Sequence, residues 1–409
     1  SITLAPGDNK TCMITNDDIA PTLKLVKVVR NNNGGTEEAD DWTLTATGSG
    51  GFSDAGDSTT FHTVKANTNY ALSESTVSGY TGGSWSCNGG SLSQNTLTLD
   101  LDEDVTCTIT NEDDIPSLTL IKQVTNDNGG NAVATDWTLT ADGPTDISGA
   151  GGATSDASFD AGTYTLSEST GPSGYTAGDW NCVGGTQNGN QITVDLGQSA
   201  VCTITNNDVA PTITLIKNVV NNNGGEADAG DFIISLGGNP VVSGVATVVN
   251  ANTLYEIDEA GALGYSFVSI TGDPECPDVL AGNITADEGE NLTCTITNDD
   301  QPGSIKIIKN TVGGIGTFTF TVDGPTDLSP SVITANNTGE TALLTVNAGN
   351  YSVAETVPAG WDLTDSSCTS GTPSNLTVPN GGSVTCTFEN TKRGHVIIQK
   401  NAIPDGSQV

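Results

Sequence analysis

The stretch CTITNEDDIPSLTLIK, Cys107 to Lys122, decides the fold, because versions of it occur five times along the chain. The others are CMITNDDIAPTLKLVK (Cys12 to Lys27), CTITNNDVAPTITLIK (Cys202 to Lys217), CTITNDDQPGSIKIIK (Cys294 to Lys309) and CTFENTKRGHVIIQK (Cys386 to Lys400). Successive cysteines lie 95, 95, 92 and 92 residues apart, the mark of a tandem array. At the period of two, Cys107, Ile109 and Asn111 share one strand face, as do Leu118, Leu120 and Lys122. Each apolar face thus ends in a polar group that points inward. The few residues between the two strands are acidic or Asn-rich and usually contain a proline. The junction reads as the last strand of one domain, a short stiff linker and the first strand of the next.

Working outward gives complete repeats at 22–113, 117–208, 212–300 and 304–391. They are flanked by the end of a preceding repeat (1–18) and the first strand of a following one (395–409), as expected of a window from a longer array. Within the second repeat the order is LTLIK, the turn NDNGG, DWTLTA, a Gly/Ala/Ser-rich segment, GTYTLSES, GYTAGDWNC, QITVDL and VCTITN. About seven short strands with turn signals every 8–12 residues predict an all-β sandwich. Trp137 and Leu139 are inward, with Trp42/Leu44, Phe232/Ile234 and Phe318/Phe320 in their places elsewhere. Four residues after a tyrosine, each repeat aims a glutamate inward: Glu74, Glu168, Glu259 and Glu355. Glu256 points outward and is not equivalent.

Composition restricts the function. Lys+Arg 12 against Asp+Glu 49 gives a formal charge of -37, which repels nucleic acid and anionic lipid headgroups. No run of 18 apolar residues occurs, so this segment does not read as membrane-inserted. Eight of the nine cysteines fall as one pair per repeat: Cys87/Cys107, Cys182/Cys202, Cys276/Cys294 and Cys368/Cys386. Scattered free thiols would not repeat so regularly, and the pattern points to disulfides in an oxidising compartment. Closing a loop of about 20 residues contributes on the order of 3 kcal/mol. Cys12 stands where the second member of a pair belongs.

Each repeat therefore aims a lysine, a glutamate and an asparagine into its interior. Lys122 and Lys217 are the only Lys or Arg in their repeats, and a buried ammonium without a partner is costly. An apolar first strand ending in Lys, a Y-x-x-x-E strand and a last strand ending in Asn together resemble the collagen-adhesin B-type, or prealbumin-like, domain of Gram-positive pilins and adhesin stalks. The resemblance covers all four complete repeats; the cysteine pair and the Asn-rich turn depart from the basic pattern. It implies seven-stranded, Ig-like sandwiches strung into an extended rod. It further implies intramolecular isopeptide bonds Lys27–Asn111, Lys122–Asn206, Lys217–Asn298 and Lys309–Asn390, with Glu74, Glu168, Glu259 and Glu355 as the assisting acids. Low dielectric favours a neutral amine beside a protonated carboxyl, which would polarise the asparagine carbonyl for attack while ammonia leaves. The alternative is a buried Lys/Glu ion pair hydrogen-bonded to Asn, with no covalent chemistry.

The turns NNNGG (Asn31 to Gly35), NDNGG (Asn126 to Gly130) and NNNGG (Asn221 to Gly225) read chiefly as turns needing positive φ. The other reading gives their oxygens to calcium, with Asp17/Asp18, Asp113/Asp114 or Asp299/Asp300, although the full calcium-loop pattern is missing. No other cofactor is expected. His62 and His395 occupy unrelated repeat positions, so an enzyme acting on an outside substrate is not expected. The chain reads as an extracellular, cell-surface fibre or stalk whose partners are further copies or repeats of itself. Its rivals are an adhesin whose repeats or tip bind a glycan or protein, and a strand-edge self-assembling protein.

Overall fold

The computed structural model describes residues 1–401, which form two compact units: residues 1–127 with 131–208, and residues 128–130 with those from Val209 on. The first unit holds two repeats of the array. In the first repeat, the first strand Thr22–Arg30 lies parallel to the last strand Asp104–Asp113, in register from Thr22 opposite Asp104 to Arg30 opposite Glu112. His62–Thr63 flanks the first strand, while Tyr80–Gly82 and Ser86–Cys87 pair antiparallel with the last. The second sheet has the order Phe52–Ala55, Thr43–Thr47, Asn69–Glu74, Thr96–Thr98, Ser91–Ser93. Both close on one core of Leu23, Leu25, Trp42, Leu44, Tyr70, Leu72, Leu97 and Val105. These are alternate residues of their strands, and each large side chain contributes roughly 1.5–3 kcal/mol by leaving water.

The second repeat has the same plan, with Ser117–Thr125 parallel to Ser199–Asp208 over Leu118, Leu120, Leu139, Tyr164, Leu166 and Ile192. In the second unit, Thr212–Val220 lies parallel to Asn291–Asp300, and Gly303–Val312 to Ser383–Lys392.

The four repeats contain ten, ten, eight and nine strands, more than the seven expected. One source, in the first two repeats, is a short strand added beside an expected one, Ser91–Ser93 on Thr96–Thr98 and Thr186–Asn188 on Gln191–Val194. The other is a strand that the first two repeats break in two, Tyr80–Gly82 then Ser86–Cys87 and Tyr175–Ala177 then Asn181–Val183. The last two repeats run it unbroken as Tyr265–Gly272 and Trp361–Cys368, each with a bulge.

Residues 1–21 and 393–401 form no strand, and 402–409 of the expected following strand lie outside the described residues. Cys12, Asn16 and Lys400 are exposed.

Within each unit, consecutive repeats are joined through the backbone. In the first, Gly197 N–H donates to the Asp114 carbonyl (2.9 Å) and Ala161 N–H to that of Asn33 (2.7 Å), while Leu196 packs on the first repeat's core. In the second, Gly381 N–H donates to the Gln301 carbonyl (2.8 Å) and Ala348 N–H to that of Asn223 (2.7 Å).

Candidate functional site: a buried lysine, glutamate and asparagine in each repeat

The parallel pairing of first and last strands brings the lysine and asparagine side by side. Lys27 is opposite Ile109, two residues before Asn111, and the other repeats keep this offset. The glutamate arrives from the second sheet, on the strand whose tyrosine and leucine, valine or isoleucine fill the core. All twelve residues singled out by the sequence meet in four such clusters.

Distances separate the clusters into two kinds. In the first repeat Lys27 Nζ donates to Glu74 Oε2 at 2.5 Å, and Asn111 Oδ1 is buried without a partner. In the second, Lys122 Nζ donates to Glu168 Oε2 (2.6 Å) and Asn206 Nδ2 to Glu168 Oε1 (3.0 Å), leaving Asn206 Oδ1 unpartnered. In the third, Lys217 Nζ is 2.7 Å from Asn298 Oδ1 and 3.0 Å from Glu259 Oε2, and Asn298 Nδ2 donates to Glu259 Oε1 (2.5 Å). The Lys217–Glu259 contact is an ion-pair distance without hydrogen-bond alignment. In the fourth, Lys309 Nζ reaches Asn390 Oδ1 (2.5 Å) and Glu355 Oε2 (3.0 Å), and Asn390 Nδ2 donates to Glu355 Oε1 (2.5 Å).

Where both contacts of the glutamate are resolved, one oxygen meets the lysine nitrogen and the other the asparagine nitrogen. The sequence reading had placed the carboxyl on the asparagine carbonyl instead. The position found suits proton traffic between the attacking and departing nitrogens.

All four lysine side chains are inaccessible to solvent. Burial is the largest influence on each amine and, opposed by the neighbouring glutamate, holds all four below the ordinary lysine value. An aromatic ring covers each amine: Trp42 at 4.5 Å, Trp137 at 4.7 Å, Phe232 at 4.3 Å and Phe318 at 4.7 Å from ring centroid to Nζ. These rings were legible only as core. Their membership of the site was signalled by an aromatic at the same place in every repeat.

The four disulfides join Cys87–Cys107, Cys182–Cys202, Cys276–Cys294 and Cys368–Cys386, tying the last strand to its antiparallel neighbour or, at Cys276, to the loop just beyond it; Cys12 is free and exposed.

The Asn-rich turns are closed by an aspartate at the end of the last strand. Asp113 accepts from the N–H groups of Asn32, Asn33 and Gly35, and Asp300 from those of Asn222, Asn223 and Gly225. Burial pushes the Asp300 carboxyl up, but these hydrogen bonds outweigh it and the net displacement is downward. The turn offers donors to a carboxylate, the opposite polarity from a calcium loop. Among the described residues no group of three or more His, Cys, Asp or Glu is placed to hold a metal. No described helix is long and apolar enough to cross a membrane.

Two profiles, each described as a prealbumin-like fold domain, match residues 18–109, 113–204, 208–296 and 305–392. The chain belongs to the prealbumin-like fold domain family. Among solved structures, this prealbumin-like chain is similar to the Bacillus anthracis TIE protein, at 16% identity over 86% of this chain and 68% of that one (TM-score 0.43). It is also similar to two B repeat units of the collagen binding protein of Staphylococcus aureus, at 14% over 91% and 100% (TM-score 0.20). A third likeness is to the major pilin T-13 of Streptococcus pyogenes, at 15% over 45% and 97% (TM-score 0.24). No curated protein sequence matches.

Proposed function

We propose that this prealbumin-like array is a structural segment of an extracellular, cell-surface fibre or stalk, and that each repeat is locked by an isopeptide bond as well as its disulfide. The observation that carries this reading is the Lys–Glu–Asn cluster with its buried lysine, built four times between the two strands that lead into and out of a repeat. The neutral Nζ attacks the asparagine Cγ, the C–Nδ2 bond breaks and the nitrogen departs as ammonia. The glutamate takes a proton from the attacking nitrogen and delivers one to the leaving nitrogen. The reaction runs once per cluster, without an outside substrate. Locked repeats would give length, stiffness and resistance to proteases, with further copies or repeats of the chain as partners.

The test is the intact mass of the reduced full chain. Each bond removes about 17 Da as ammonia, so four give about 68 Da below the sequence mass. The deficit should fall stepwise in E74A, E168A, E259A and E355A. A reduced mass equal to the sequence mass would reduce the clusters to buried ion pairs.

One observation favours a second reading, ligand binding by a single repeat. The third repeat has an apolar cleft of about 330 Å³ lined by Leu236, Pro240, Val242, Val245, Val248 and Tyr255. Adhesion that survives V242D/V248D would remove that support.

A further inference from the structure

The clusters contain the same three residues but not the same surroundings. The side chains of Glu74 and Glu168 are 17% and 13% exposed, those of Glu259 and Glu355 only 2% and 0%. The difference follows the strand beside the last strand. Directly opposite the asparagine that strand places Gly82, Ala177, Phe267 and Leu363 in the four repeats. Opposed residues of an antiparallel pair project to the same face, so Gly82, Ala177 and Phe267 look onto their clusters, whereas Leu363, beside a bulge, is 42% exposed and lies off the packed core. A Cβ on Gly82 would stand 2.4 Å from Glu74 Oε1 and 3.3 Å from Asn111 Oδ1. In the first two repeats the strand also breaks just after this residue, whereas in the last two it continues. In the second repeat a cleft of about 580 Å³, lined by Leu166, Ala177, Gly178, Trp180 and Gln187, reaches Glu168 itself. In the third repeat Phe267 packs against the core.

We infer that the residue opposite the asparagine is a lid that sets how fast a repeat closes, Phe267 sealing the third repeat while Gly82 and Ala177 leave the first two open to water. The inference rests on the bond proposed above. Water at an open cluster hydrogen-bonds the glutamate and the asparagine amide, competing with the contacts that align amine, carboxyl and leaving nitrogen. It also weakens every electrostatic interaction there. The geometry agrees: the lysine touches the asparagine oxygen in the sealed repeats, and that oxygen has no partner in the open ones. Phe267 is a positioning residue, acting through the glutamate and asparagine.

An open cluster admits a second reaction. A small outside nucleophile can attack the same Cγ: hydroxylamine displaces ammonia to leave a hydroxamate on the asparagine, with the lysine still free. This readout reports access to the cluster and would not move if the lid merely supported the fold.

The full chain is synthesised in a short pulse, with and without hydroxylamine, quenched at intervals, reduced and digested. Branched Lys–Asn peptides and asparagine hydroxamates are then quantified for each repeat. The expected result is that Lys217–Asn298 and Lys309–Asn390 close at least tenfold faster than the other two, and that hydroxamate appears at Asn111 and Asn206 but not at Asn298 or Asn390. F267A should slow only the third repeat to the open rate and admit hydroxylamine there, while L363A, at an exposed side chain, should leave the fourth repeat unchanged. A177L should speed the second repeat; Gly82 is left alone because its added Cβ would collide with Glu74. Equal rates in all four repeats, unmoved by F267A and A177L, would overturn the lid and leave the bond standing. A chain that forms no branched peptide at all would overturn the bond and the lid together.

Discussion

The first two repeats and the last two carry the same lysine, glutamate and asparagine, yet only the last two enclose them completely. Glu355 is sealed and in contact with both partners; Glu74 stands beside a glycine, next to a gap in the strand. Three residues at fixed spacing specify a cluster, but its dryness is decided by a residue on another strand. Reactivity in a buried site depends as much on what excludes water as on the reacting groups.

Substitution at the glutamates should give the largest contrast. Glu355→Ala removes the partner of a wholly buried amine and should cost the fourth repeat about 3–5 kcal/mol, whereas Glu74→Ala, where water can substitute, should cost roughly half as much. Hydrogen exchange read by mass spectrometry resolves the repeats separately, and equal losses would erase the distinction. Next are the turn aspartates. Asp300→Ala orphans three N–H donors and should cost about 2–4 kcal/mol. At the corresponding place in the fourth repeat stands exposed Lys392, and Lys392→Ala should change stability by under about 0.5 kcal/mol.

A smaller effect is expected at the turn glycines. Gly34 has φ +87° and its added Cβ would lie 2.8 Å from Ala161 N, so Gly34→Ala should cost about 1–3 kcal/mol and loosen the second repeat. Gly313, with φ +86° and open space to 3.4 Å, should show only the backbone cost of about 1 kcal/mol.

The smallest signal is a pH slope. In Asn298→Ala the Lys217 amine stays free, and burial holds it below its ordinary 10.5. Between the lowered value and 10.5 the unfolded chain binds more protons than the folded one, so stability should rise with pH across that window. The slope is bounded by about 1.4 kcal/mol per pH unit for one proton. Exchange protection in the third repeat, followed as pH approaches 10.5, gives the sign, and a falling trend would contradict the buried neutral amine.

Much of this was legible in the sequence, because strand alternation is a local signal. The inward side of Cys107, Ile109 and Asn111, and the difference between Glu259 and Glu256, follow from counting by twos, and the cysteine spacing located the bridges. What sequence could not supply was cross-strand register. Nothing local to Phe267 or Gly82 states that it faces Asn298 or Asn111; that requires the pairing of strands some 30 residues apart. The sequence set Asp113 and Asp300 beside the turns only as calcium ligands; that Asp113 instead accepts from the N–H groups of a turn 80 residues upstream depends on the same register. Strand number was missed because a gap such as the one after Gly82 depends on what lies over it.

The parallel pairing of first and last strands has a consequence for extensibility. A pull along the chain enters the first repeat at Thr22 and leaves at Asp113, on adjacent strands aligned in the same direction. With Lys27 joined to Asn111, residues 28–110 lie off the load path. Without the bond and the disulfide, that stretch would pay out as slack, up to roughly 280 Å at about 3.4 Å per residue. The joined repeat has no such reserve: it transmits tension at constant length, as a cable does and a spring does not.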